Sequence, residues 1–79
     1  MTRKAYVLIQ VEVGSTHAVA NSLRSIKGVL AADVVTGPHD VIVVVECTNS
    51  DAVVRMVTKE IQAVKGVSDT MTYMVFNSE

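Results

Sequence analysis

Between residues 35 and 41 the chain reads Val-Thr-Gly-Pro-His-Asp-Val, and this short segment gathers most of the residues able to recognise a small polar molecule. Gly37 admits a backbone conformation, or a close approach, that a Cβ would obstruct. In an exposed loop through Thr36, Gly37, Pro38, His39 and Asp40, the N–H groups of the residues other than Pro38 can hold a small carboxylate, and Asp40 at the same place can pair with an ammonium group. A free amino acid carries both of those ends. The same residue types are also ordinary turn formers, and Asp40 could do no more than hydrogen-bond its own loop. On the residues alone both readings stand.

Other chemistry finds little support. His17 and His39 accompany several hydroxyls, but no spacing sets a nucleophile against a base, so an enzyme is not expected. Cys47 stands alone. It can form neither an internal disulfide nor the paired thiolates that capture a soft metal ion, and neither metal nor cofactor is expected. An RNA-binding module of this size stacks bases on aromatic residues of its central strands, where this chain has Val and Ile. The formal net charge is -1, with seven Lys and Arg interleaved among eight acids. No polybasic patch results, which argues against direct binding to nucleic acid or a membrane surface. Met1-Thr-Arg-Lys-Ala runs directly into a strand pattern and no apolar run approaches membrane-spanning length, so a soluble cytoplasmic protein is expected.

The elements that must position the loop follow from periodicity. Lys4 to Val13 alternates, with Val7, Ile9, Val11 and Val13 on one face and Tyr6, Leu8, Gln10 and Glu12 on the other. Gly14 breaks this strand. Ser15 can then cap a helix whose Val19, Leu23 and Ile26 recur at three- and four-residue intervals until Gly28. Val29 to Thr36 and Val41 to Cys47 read as two strands of a hairpin, joined through Gly37 to Asp40. After Thr48-Asn49-Ser50, any of which can cap, Val53, Val57, Ile61 and Val64 mark a second helix, stopped at Gly66. Val67 to Phe76 supplies a last strand.

The predicted order is βαββαβ, one domain over residues 1–79, and Ile26-Lys27-Gly28-Val29 recurs as Val64-Lys65-Gly66-Val67. Two interleaved βαβ halves give the α+β, ferredoxin-like arrangement, a four-stranded antiparallel sheet with both helices on one face. A domain of this length removes only about 60 to 65% of its unfolded surface from water. Yet 49% of the residues are hydrophobic, and only three, Tyr6, Tyr73 and Phe76, are aromatic. Strands so rich in Val and Ile suit a sheet covered on both faces. With no third layer in the chain, the face carrying Tyr6 and Leu8 calls for a second copy, and a dimer formed sheet to sheet is expected.

The pattern VxxxxVVTGxxD, followed by an apolar strand, a capped helix and a Lys-Gly-Val opening the last strand, resembles the effector domain of the Lrp/AsnC family, known as the RAM domain. The resemblance runs from Lys4 to Phe76, and Thr36-Gly37-x-x-Asp40 is its most specific part. The family's helix-turn-helix is missing, so the chain looks like the stand-alone form of the module. The resemblance implies dimers assembling into a larger ring, commonly of eight chains, with amino-acid effectors in the clefts between dimers. It implies that main-chain groups around Gly37 and His39, with the Asp40 carboxylate, hold the effector's charged ends. Thr70 and Thr72 fall where the family often offers further polar contacts, and Pro38 and His39 occupy variable positions bearing on side-chain preference. It further implies action in transcriptional regulation of amino acid metabolism, by co-assembly with full-length relatives or competition for their effector.

Three rivals remain on the sequence. The ACT domain, also amino-acid binding, shares the element order, but its usual Asp or Asn before the glycine of the first strand-helix loop is absent at Val13-Gly14. A small dimeric α+β barrel enzyme, a monooxygenase or isomerase, would need a pocket richer in aromatic or polar residues. A purely structural assembly module would bind nothing.

Overall fold

Every second residue of the first strand disappears from solvent: Ala5, Val7 and Ile9 are fully buried, and the residues between them are not. A computed structural model, which describes residues 2–76, shows how the rest of the chain responds to that alternation. The elements are β1 (Arg3–Val11), α1 (Thr16–Arg24), β2 (Val29–Val34), β3 (Val41–Cys47), α2 (Ser50–Met56), a π-helical continuation of α2 (Val57–Ile61), and β4 (Val67–Met74). They form one sheet in the order β2-β3-β1-β4, every neighbouring pair antiparallel. The ferredoxin-like βαββαβ arrangement read from the sequence is the observed one.

Both helices lie on the face of Val7 and Ile9. Val19, Ala20 and Leu23 of α1, with Val53 and Met56 of α2 and Val57 and Ile61 beyond it, close over Val41, Val43 and Val45 of β3 and Ala32 of β2. Full burial of one such aliphatic side chain contributes about 1.5–3 kcal/mol. The stripe Val53, Val57, Ile61 advances by four residues each time, slightly more than a helical turn. Val57–Ile61 accommodates this by widening, with the Gln62 N–H donating to the Val57 carbonyl at 2.9 Å. Asn49 caps α2, its side chain accepting from the Ala52 N–H at 2.8 Å.

Element ends depart from the sequence reading in ways with local causes. β1 stops at Val11 rather than Val13, because its pairing with β4 shifts register between Gln10 and Val11 and the Glu12 N–H turns to the Gly66 carbonyl. Val13, expected on the buried face, is therefore fully exposed. α1 ends at Arg24, and Ile26 to Gly28 form a turn instead of a last helical step. Ser15 occupies the capping position of α1, but its hydroxyl makes no capping hydrogen bond. β2 ends at Val34, so the hairpin connection is the six residues 35–40, longer than a tight turn. β4 ends at Met74 rather than Phe76.

The repeated Lys-Gly-Val segments adopt one conformation twice. Gly28 has φ 101° and Gly66 φ 102°, a region open to glycine and costly for other residues. Each glycine carbonyl accepts a hydrogen bond from a residue near the end of a strand of the other half, Glu46 N–H to Gly28 and Glu12 N–H to Gly66.

Candidate functional site

Antiparallel pairing decides which loops meet. β2 and β3 join at the same end of the sheet at which β1 gives way to α1, so the 35–40 loop lies beside the turn Glu12–Ser15. Between them is a cleft of about 330 Å³, lined by Gly14, Thr16, His17, Val34, Val35 and Asp40. That volume is at the small end of the range of small-molecule sites. Two valines give it an apolar wall. Asp40, His17 and Thr16 give it the polar groups.

Asp40 is the residue that fastens the loop. Its N–H donates to the Ile9 carbonyl at 2.9 Å, its carbonyl accepts from the Val35 N–H at 2.9 Å, and its Oδ2 accepts from the Val11 N–H at 2.9 Å. The carboxylate thus serves the end of β1 where the ladder is interrupted, which is the turn-stabilising role weighed in the sequence. Half-buried at the cleft wall, it also lines the space beside the loop. Thr36, Gly37 and Pro38 are exposed and His39 is half-buried. Apart from Gly37 itself and its chain neighbours, no atom of the described residues lies within 4 Å of where a Cβ on Gly37 would stand. Gly37 is not held by crowding, and the space beside it is open to a molecule outside the chain. The Pro38 carbonyl accepts from Gln10 Nε2 at 3.1 Å in an exposed hydrogen bond.

Thr70 and Thr72 lie elsewhere. They pair with Ile9 and Val7 on edge strand β4 and so share the helix-side face, beyond the cover of the helices. Asp40 flanks Ile9 on one side and Thr70 on the other, which separates their backbones by roughly 10 Å, two strand spacings. Thr70 accepts from Gln62 Nε2 at 2.9 Å and lines a second cleft of about 310 Å³ with Gln62, Val67, Ser68 and Asp69. Within one chain, then, Thr70 faces a different cleft from the loop, and exposed Thr72 lines neither of the two.

Sequence reasoning missed Gly14, Thr16, His17 and Gln62 as cleft residues. The turn after Gly14 could have been brought to the loop by strand order alone. Gln62 could not, since its approach to Thr70 depends on the widened turn before it. Cys47 is half-buried against the core, and burial pushes its thiol up from the ordinary value, with the nearby Glu60 charge acting in the same direction. Among the described residues no three His, Cys, Asp or Glu side chains group closely enough to hold a metal ion.

Residues 4–79 match the family model of the Lrp/AsnC ligand binding domain. The chain belongs to that family. An HTH-type transcriptional regulator of Pyrococcus furiosus, PF0250, is 31% identical over 75 residues, covering 91% of this chain and 50% of that protein. The chain thus spans half the length of that relative. Among solved structures, TTHA0845 from Thermus thermophilus matches with TM-score 0.91 at 26% identity, covering 98% of this chain and 96% of its own. Escherichia coli AsnC shares the fold at TM-score 0.89 and 21% identity, over 96% of this chain and 52% of AsnC. The L-Met complex of transcriptional regulator NMB0573 from Neisseria meningitidis does so at 0.84 and 21%, over 95% and 50%. The chain is thus an Lrp/AsnC ligand binding domain, and PF0250, which it matches over half of that protein's length, is named as a transcriptional regulator. Among the described residues, no helix is long and apolar enough to cross a membrane.

Proposed function

We propose that this Lrp/AsnC domain is a non-enzymatic sensor that binds a free amino acid at the 35–40 loop and works as a homo-oligomer. The observation that carries the reading is the loop itself. The loop places Asp40 and Val35 in the wall of a cleft that Val34 helps make apolar, while Gly37 next to them in the chain is exposed and His39 half-buried. Among the described residues the Val11 N–H is held by Asp40 Oδ2, and we assign Oδ1 to the ammonium group. Loop N–H groups suit the α-carboxylate, and Val34 and Val35 suit an apolar side chain. The L-Met complex of a relative with this fold agrees with such a ligand.

Thr70 and Thr72 enter the proposal across an interface. With Thr70 facing a different cleft from its own loop and Thr72 exposed one pair further along the strand, they would contribute to an amino acid held by a neighbouring chain's loop, as in a site between dimers. Dimers would close through the sheet face of Tyr6, Leu8, Met71 and Tyr73 and assemble into a ring, of eight chains in the family's common form. Regulation would then follow from co-assembly with full-length relatives or from competition for their effector.

The test is calorimetry with each of the twenty common amino acids on the purified protein, preceded by a thermal-shift screen. At least one should raise the melting temperature, as a ligand specific to the folded state must. If none does so at millimolar concentration, the sensor reading fails and a purely structural module is left.

A further inference from the structure

Gln10 follows Tyr6 and Leu8 in the alternation of β1, so its side chain rises from the sheet face that the helices leave open. From there Nε2 reaches the Pro38 carbonyl at 3.1 Å, across 28 residues of sequence. The 35–40 loop is therefore tied to β1 twice, and the ties differ in kind. Asp40 holds it from within, half-buried, through Ile9 and Val11. Gln10 holds it from the open face, where water competes for both partners and leaves the bond little net strength.

We propose that Gln10 is a positioning residue that couples closure of the open sheet face to the order of the 35–40 loop. The inference rests on the preceding reading, in which a second copy covers that face. A covering chain excludes water from around Gln10, and the same hydrogen bond strengthens in the drier, less polarisable surroundings. The loop is then held at Pro38 as well as at Asp40. Association and loop order become thermodynamically linked, and the link is reciprocal: an amino acid that prefers the ordered loop favours association by the same factor. Polar Gln, rather than one more apolar residue, is what that position of the face needs for this purpose.

Hydrogen exchange of the Val35 and Asp40 amides reads the loop directly, since both are donors whose bonds break when it opens. Four proteins are compared, with sedimentation velocity reporting the association of each: wild type, Gln10→Met, Tyr6→Glu and the double variant. Methionine keeps the length and apolar stem of glutamine and removes the donor. Tyr6→Glu places a charge on the open face to dissociate the assembly. Tyr6→Glu should speed exchange at both amides about three- to tenfold, the range of one ordinary hydrogen bond. Gln10→Met should do the same while the protein remains associated, and the double variant should exchange no faster than Gln10→Met alone. If the two effects multiply, or if Gln10→Met leaves both amides as slow as in wild type, the coupling does not exist. A wild-type chain that sediments as a monomer overturns the association reading and this inference with it. An associated wild type whose loop is indifferent to dissociation overturns the inference alone.

Discussion

At Asp40 one carboxylate is asked to serve two partners, and a pair of substitutions separates them. Oδ2 accepts from the Val11 N–H at the place where β1 leaves the regular ladder. Asp40→Ala removes that acceptor, leaves a backbone donor unpaired, and should cost about 1–3 kcal/mol of stability. Asp40→Asn keeps an oxygen for Val11 and removes only the charge. In denaturant unfolding Asp40→Asn should stay within about 0.5 kcal/mol of wild type, while calorimetry shows amino-acid affinity falling about tenfold or more, the worth of a charge-assisted bond to an ammonium group. Binding unchanged in Asp40→Asn would make the carboxylate a turn fastener and nothing else. Cys47 gives a different residue-scale expectation. Burial and the Glu60 charge raise its thiol above the ordinary value, so the folded state disfavours the thiolate. Such a group contributes stability that is complete below the unfolded value, about 8.5, and is lost as pH rises through the higher folded value. Wild type should therefore lose more stability than Cys47→Ala as the pH is raised from below that unfolded value to above the folded one, and the native thiol should alkylate more slowly than the urea-unfolded one at the same mildly alkaline pH.

The elements of this fold are held by their ends as much as by their faces, and the ends separate what the sequence made legible from what it did not. Apolar alternation in β1 and β3 and the spacing of Val19, Leu23, Val53 and Ile61 are long-range signals of burial, and all of those residues are buried as that pattern requires. Val13 fits the same pattern and is exposed, because a register shift at Gln10/Val11 depends on β4, far away in sequence. Capping shows the same division. Asn49 and Ser15 are both good capping residues by type, yet only Asn49 accepts from its helix. Asn49→Ala should cost about 1 kcal/mol and Ser15→Ala less than about 0.5 kcal/mol. The candidate loop was readable because its residue types are local; the cleft beside it was not, since Thr16 and His17 reach it only through strand order. The two equivalent glycines test the repeat. A Cβ on Gly28 would meet the end of the flexible Met56 side chain and, at 3.3 Å, the Glu46 carbonyl, whereas on Gly66 it would meet branched Val19 at 2.8 Å and Ser15 Cβ at 3.0 Å. Both alanine variants carry the backbone cost of positive φ, about 1–2 kcal/mol. Gly66→Ala should be the more damaging by about 1 kcal/mol or more, because its neighbours cannot swing aside, and chemical denaturation of the pair decides it.

On the scale of the whole molecule the unbalanced feature is the sheet, covered on one face and bare on the other. Tyr6 pairs with Tyr73 and Val44, and Leu8 with Met71 and Ile42, so six large apolar residues adjoin across three strands. Tyr6, Met71 and Tyr73 remain 41–54% exposed, while the other three are half-buried only by their neighbours. A standard interface removes about 800 Å² from each partner, about 15% of the 5170 Å² that this chain exposes. The sheet face is where large apolar residues adjoin one another, and a second copy offers the same surface in return across a two-fold axis. Association of this kind leaves a thermodynamic signature. When the folded state is a dimer and the unfolded state a single chain, stability depends on protomer concentration, and the melting temperature rises as the protein is concentrated. Wild type should show that rise over a hundredfold concentration range, together with a light-scattering mass of at least twice 8.5 kDa. Leu8→Glu places a charge in the centre of the patch without entering the helix-side core. It should lower the mass to that of one chain and make the melting temperature independent of concentration, with the far-ultraviolet circular dichroism unchanged. A variant that stays associated would move the interface off the sheet face, to the edge strands or the helices.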